Sequence, residues 1–283
     1  MALINNACFD EERALYGLKD SRVMSCRFEG PADGESVLKE ASDIVVEDCK
    51  FSLRYPLWHV KNFELNNSSL DEATRAPIWY CNNGIIRNCR IDGIKAIREC
   101  VGMHICDSMI ASPEFGWMSS NIELRNVEVE SEYIFLKSQD VRLDKVKMKG
   151  KYSFQYVNNL HISNSVLDTK DAFWHSKNIV VENSIIKGEY LAWFSKGLTL
   201  INCRIIGTQP FCYCEDLKLI NCTMENTDLA FEYSDVTADI IGHVVSIKNP
   251  KSGIITVDSV GDVIWEDAIM ECRGKIIIRE TNK

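Results

Sequence analysis

The chain has 283 residues, 46% of them hydrophobic, which is enough to bury one or two domain cores. Its formal net charge of −9 disfavours nucleic acid and anionic membrane surfaces as partners. No apolar run approaches the length of a transmembrane helix, so no membrane partner is expected.

The start, M-A-L-I-N-N-A-C-F-D-E-E-R, has neither a basic n-region nor a long apolar stretch. It does not read as a secretory signal, and a cytoplasmic location is expected. Residues 1–13 precede the first repeat and are expected to cap it. From Cys26 onward one frame recurs, seen most plainly in N-I-V-V-E-N-S-I-I at 178–186. Its anchors are Cys26, Cys49, Ser68, Cys89, Ser108, Val127, Val146, Ser165, Ser184, Cys203 and Cys222. Their spacings are 23, 19 and 21, then 19 seven times in succession. A fixed short period means stacked units that cannot fold singly. Apolar residues at alternate positions make those units strands. The expected fold is all-β: a right-handed parallel β-helix solenoid of about 11–12 rungs over residues 14–242. After Phe231 the frame dissolves, with Gly242 where an anchor is due. Residues 243–283 are expected to form C-terminal cap strands of the same single domain.

Asn or Asp precedes the anchor in most rungs: Asp48, Asn67, Asn88, Asp107, Asn126, Asn164, Asn183, Asn202 and Asn221. Such residues suit a tight bend with left-handed geometry, and stacked they form an amide ladder that Lys145 interrupts. Five of the twelve cysteines sit at anchors, and Cys81, Cys100 and Cys214 share a second column. Positions that exchange Cys, Ser and Val want a small buried side chain, so free core thiols are expected. Cys212 and Cys214 form a lone C-x-C with no second pair, and neither a metal nor a cofactor is expected.

Each rung also carries an aromatic segment: Y-P-L-W-H at 55–59, A-P-I-W-Y at 76–80, D-A-F-W-H at 171–175 and Y-L-A-W-F at 190–194 are examples. If these are strands, alternate residues face opposite ways. One set holds Pro56, Trp58, Phe115, Trp117, Trp174 and Trp193, with only Arg98 and Glu232 charged. It should face inward, because unpaired buried charge is costly. The other set should form an exposed aromatic strip. With the faces reversed, or a loop laid over the strip, the Phe column is core instead.

The strings L-R-Y-P-L-W-H, G-I-K-A-I-R-E-C, S-P-E-F-G-W, G-K-Y-S-F-Q-Y, T-K-D-A-F-W-H and G-T-Q-P-F-C-Y-C resemble those of a bacterial family of domains of unknown function, family 3737. The rung architecture resembles the pectin-lyase-like β-helix. The first resemblance brings no activity with it. The second implies carbohydrate only by analogy of fold. The chain lacks the paired-Asp motif of polygalacturonases and any Asp cluster suited to calcium.

If the strip binds a ligand, rings in adjacent rungs lie ~4.8 Å apart and sugars can stack on them. The expected contact residues are Tyr55, His59, Tyr80, Glu114, Phe135, Tyr152, Phe154, Tyr156, Phe173, Tyr190, Phe211, Tyr213 and Tyr233. Glycoside hydrolysis needs two carboxyls roughly 5–9.5 Å apart. Asp171 and Glu189 lie one rung apart, and His175 shares a rung with Asp171, so these three are the acid/base candidates. A lyase would draw instead on Arg54, Arg75, Lys95, Arg98, Lys151 and Lys170. The plainer alternative makes Glu132, Lys151, Lys170 and Glu189 a solvated charge ladder. Expected partners are an oligosaccharide or polysaccharide, or in the non-enzymatic alternative another polypeptide or a second copy of the chain.

Overall fold

The computed structural model describes residues 2–280. Nearly all of its regular structure is parallel strand wound into about 15 coils. The chain divides into two compact units, 1–147 and 148–283.

One coil shows how the sequence builds them all. The strand Lys177–Glu182 buries Ile179 and Val181 and leaves Lys177 and Asn178 exposed, the period-2 pattern of a half-buried strand. Asn183 follows at φ 51°, turning the chain, and the anchor Ser184 tucks inside with its Oγ donating to Glu182 O at 2.7 Å. The short strand Ile185–Lys187 comes next, then the aromatic segment, then the next coil.

Pairing is parallel at an offset of 19: Ile179 opposite Leu198 and Val181 opposite Leu200. In the first unit Val23, Val46, Leu65, Ile86, Ile105, Leu124 and Leu143 stack as one buried column. In the second, Ile162, Val181, Leu200, Leu219, Ala238 and Ile255 do the same. Burying each large aliphatic side chain is worth about 1.5–3 kcal/mol, so such columns dominate the stability of a stack.

The two irregular spacings have local causes. The step of 21 from Ser68 to Cys89 absorbs a 3-10 turn at Glu72–Thr74, capped by Asp71 accepting from Ala73 N at 3.0 Å. The step of 23 from Cys26 to Cys49 absorbs turns around Asp33, Ser36 and Glu40, all at positive φ.

The coils also outnumber the 11–12 expected, because strands continue the ladders into both terminal segments. Ala2–Asn5 pairs with Lys19–Met24, and Cys8–Phe9 with Arg27–Phe28. Ala7 is thus an unrecognised anchor, 19 residues before Cys26, behind Asn6 at φ 52°. At the other end Asp235–Lys248, Ser252–Ile264 and Lys275–Ile278 extend the parallel ladder, with Gly242 (φ 88°) in the corner. Met1 and residues 281–283, at the tips of those segments, lie outside the described residues.

The amide ladder forms as expected: Asn202 Nδ2 donates to Asn183 Oδ1 at 3.1 Å and Asn221 Nδ2 to Asn202 Oδ1 at 2.7 Å. Lys145 adopts the same left-handed turn (φ 54°) without an amide to offer. All twelve cysteines are free, nine of them buried. Desolvation pushes the Cys49, Cys89 and Cys214 thiols up to about 11, which makes them inert packing groups.

Candidate functional site

Leu57–Trp58 and Ile78–Trp79 pair as short parallel strands, but most of the aromatic segments are not strands, and this rearranges the faces. Every second residue takes a left-handed φ: Asp171 53°, Phe173 62° and His175 55°, then Tyr190 56°, Ala192 63° and Phe194 59°. Their backbone N–H groups point alternately to the next coil and the previous one. Asp171 N donates to Glu189 O at 3.0 Å, Phe173 N to Ser153 O at 2.8 Å, and His175 N to Trp193 O at 3.1 Å. A non-glycine residue in this region costs roughly 1–2 kcal/mol, and these inter-coil bonds offset it.

The pleat alternation assumed from the sequence therefore fails. Two neighbouring positions, such as Ala172 and Phe173, both point inward, and the next two, Trp174 and His175, lie at the surface. Phe135, Phe154, Phe173 and Phe211, expected as ligand contacts, are fully buried, as is Phe231. They are core. Within the second unit Phe154 stacks on Phe173 at 5.2 Å and Phe211 on Phe231 at 5.6 Å. Tyr233, also expected at the surface, is 6% exposed, its hydroxyl held by Asp267 O and Ile269 N. The tryptophans move the other way, from the expected interior to a half-buried layer. Trp174 and Trp193 stack at 5.3 Å, their Nε1 groups donating to Tyr190 O and Gln209 O.

Outside that layer lies the candidate site. Tyr156, His175, Phe194, Tyr213 and Tyr233 stack in that order at 5.0, 5.0, 4.8 and 5.2 Å between centroids. The first three contacts are within 10° of parallel. Tyr156 is 50% and Phe194 43% exposed, and with Val157, Asn158, His175 and Lys177 they line a shallow groove. Because each ring covers its neighbour's face, the ladder turns ring edges to solvent. Tyr213 and Tyr156 bring phenol groups and His175 an imidazole to those edges. Burial raises the Tyr213 phenol above its ordinary value, aided by the nearby Glu232 carboxylate. Phe194, in the middle of the ladder, was absent from the expected contact set. Its signal was available: 156, 175, 194 and 213 are each 19 apart.

The acid/base candidates do not converge. Lys170 Nζ holds Glu189 at 2.8 Å, the charge-ladder pairing foreseen as the plainer alternative, and lies 5.1 Å over the Tyr190 ring. Asp171 is 6% exposed, and burial raises its carboxyl above the ordinary value, against the pull of Lys170 and with a push from Glu189. His175 stands inside the ring stack, and among the described residues no hydrogen bond or ion pair joins it to Asp171 or Glu189. Tyr190 meets Trp193 edge-on, and Tyr152 is half-buried with Lys151 Nζ 5.4 Å over its ring.

The first unit carries a different arrangement. Trp58 and Trp79 stack at 5.3 Å, with Lys39 4.3 Å over the Trp58 ring. Arg98, in the column of tryptophans, lies 5.9 Å from the Trp79 ring and 5.3 Å from that of Trp117. Glu99 and Glu114 pair with it, each at 3.5 Å. Glu232, the other charge of that column, is likewise paired, with Lys248 at 2.9 Å. Tyr55 packs against Trp58 and Trp79, while His59 contacts Tyr80 and bonds Glu40 at 2.8 Å. Of the expected contacts, His59 and Tyr80 thus engage each other, while Tyr55 is taken up by tryptophans and Glu114 by Arg98. No group of three or more His, Cys, Asp or Glu suited to a metal occurs among the described residues.

Comparison with known proteins gives three findings. The family described as "Protein of unknown function (DUF3737)" matches residues 2–278. No curated protein matches. Among solved structures the chain is similar to the A-modules of two Azotobacter vinelandii mannuronan C-5 epimerases. AlgE6 shows 9% identity, covers 97% of this chain and 87% of its own, and has a TM-score of 0.30. For AlgE4 the values are 8%, 98%, 87% and 0.30. QnrB1, a plasmid-mediated fluoroquinolone resistance protein, matches at 12% identity over 79% of this chain and 90% of its own, with a TM-score of 0.19.

Proposed function

From the premise that the chain belongs to the DUF3737 family, we propose that it is a binding protein that holds an extended carbohydrate lengthwise along the ring ladder from Tyr156 to Tyr213 and breaks no bond in it. The observation that carries this reading is the pitch of the ladder, 4.8–5.0 Å from ring to ring. A polymer of rigid units with a similar repeat can meet every ring in the same way. Contact is edge-on. Phenol and imidazole groups at the ring rims, with Asn158 and Lys177 in the adjoining groove, bond hydroxyls, and the rim of Phe194 meets the sugar's C–H edge. Face stacking of sugars, expected from the sequence, does not enter, because the faces are occupied by neighbouring rings.

The non-catalytic part of the reading rests on the acid/base candidates. Glu189 is neutralised by Lys170, and among the described residues no carboxylate orients His175. The test is a glycan array together with affinity electrophoresis in soluble polysaccharides, comparing the native chain with Phe194→Ala and His175→Ala. Retention by at least one extended glycan, lost in both variants, is the expected result. Release of new reducing ends or unsaturated sugars from a bound glycan would overturn the non-catalytic reading. Absence of glycan binding, with a self-association abolished by Phe194→Ala, would assign the ladder to a protein interface instead.

A further inference from the structure

The ring ladder has one covered end. Tyr233, its fifth ring, lies 5.2 Å from Tyr213, yet only 6% of it is exposed. Over it lies the irregular segment 265–274, which joins the strands Ser252–Ile264 and Lys275–Ile278. Three hydrogen bonds lay that segment on the ladder's end. The Tyr233 hydroxyl donates to Asp267 O and accepts from Ile269 N, each at 3.3 Å. Asn249, whose carbonyl accepts from Tyr233 N, donates through Nδ2 to Glu266 O at 2.9 Å. Trp265 to Glu271 are all exposed, so this part of the segment buries little apolar surface of its own. A segment held by a few hydrogen bonds without buried apolar side chains opens at low cost.

Resting on the carbohydrate reading of the ladder, we propose that residues 265–274 form an autoinhibitory strap that competes with the sugar for Tyr233. A sugar hydroxyl both donates and accepts. At the Tyr233 phenol the strap supplies the same pair, one N–H and one C=O. Its backbone thus stands where a sugar hydroxyl stands on Tyr156 or Tyr213. A polymer lying along the rings from Tyr156 to Tyr213 meets Tyr233 at the next step, 5.2 Å on, and takes it only by displacing the strap. Short ligands leave the strap seated, and longer ones lift it. The seated strap lowers the apparent affinity for long chains by the fraction of time that it is open.

The test uses the full chain and two substitutions at one exposed position. Ile269→Pro removes the N–H that meets Tyr233, while Ile269→Ala removes only side-chain atoms. The first readout needs no sugar: nitration of Tyr233 by tetranitromethane, located by peptide mass, with the half-exposed Tyr156 as reference. Tyr233 should resist in the native chain and in Ile269→Ala, and react in Ile269→Pro. The second readout is affinity electrophoresis in hydroxyethyl cellulose, xylan and polygalacturonate. Ile269→Pro should strengthen retention about tenfold, the factor set by a strap open roughly one-tenth of the time, and Ile269→Ala should not. Tyr233 nitrated in the native chain as fast as Tyr156, or still resistant in Ile269→Pro, overturns the strap. Equal retention of all three chains overturns the competition and leaves the carbohydrate reading standing. Retention of none, with Tyr233 freed in Ile269→Pro, overturns the carbohydrate reading and the competition with it.

Discussion

Gly116 shows how narrowly some single positions are set. Its φ is 76°, and a Cβ there would lie 2.4 Å from the Phe135 ring. Alanine must therefore displace a buried phenylalanine as well as accept a left-handed backbone. Gly116→Ala should cost about 1–3 kcal/mol in urea unfolding, and a cost near zero would mean the ring has room to move. Asp171 makes a prediction of opposite sign. Its carboxyl is raised by burial, so the folded chain binds the proton more tightly than the unfolded one. The stability linked to it is fully present below the ordinary value of 3.8 and falls as pH rises through the folded value. Asp171→Asn should raise the melting temperature at neutral pH and flatten its dependence on pH above 3.8; a lower neutral melting temperature would contradict this. Neither residue's environment was legible in the sequence. Residue type and spacing put Phe173 in a column, but the direction of that column depended on the sign of φ at Asp171, Phe173 and His175. No aspartate, phenylalanine or histidine announces that sign by itself.

The strand–corner–strand element was far more legible, because its signals are chemical and local. Asn before a small anchor marks a left-handed corner, and the corner appears at Asn183, Asn202 and Asn221. Asn202 both donates to Asn183 and accepts from Asn221, so two substitutions separate backbone geometry from hydrogen bonding. Asn202→Gly keeps easy access to φ 51° and loses only the ladder bonds, while Asn202→Ala loses both. Alanine should destabilise by about 1–2 kcal/mol more than glycine, and equal losses would show that the corner's conformation is not limiting. The aromatic element was misread for a related reason. Its five columns looked like an alternating strand, yet nothing in 171–175 distinguishes a pleated strand from one whose alternate residues are left-handed. The charged exceptions, Arg98 and Glu232, both find partners, because the cost of desolvating a charge holds whichever way its column points.

For the molecule as a whole, the anchor period carried most of the fold, and the coils missed were those where the anchor is disguised. Ala7 stands for Cys or Ser in one, and long strands such as Asp235–Lys248 run through the corner in another. The thiol inventory gives a global check. In the native chain a small alkylating reagent should modify at most Cys8, Cys106 and Cys272, and all twelve thiols after denaturation. Rapid native modification of any anchor cysteine would show that the coils open. The same accounting predicts no change in melting temperature on adding reductant, because every cysteine is already free. The offset of 19 that most paired strands share has one more consequence, for how such a protein changes over generations. Removing or copying a block of nineteen residues joins strand to matching strand and hands each ring, amide and thiol a new neighbour of its own kind. Any other change of length must be housed as a local excursion, as Glu72–Thr74 is now. Descent within such a lineage should therefore lengthen and shorten the chain by whole turns, and the reach of its ring ladder with it.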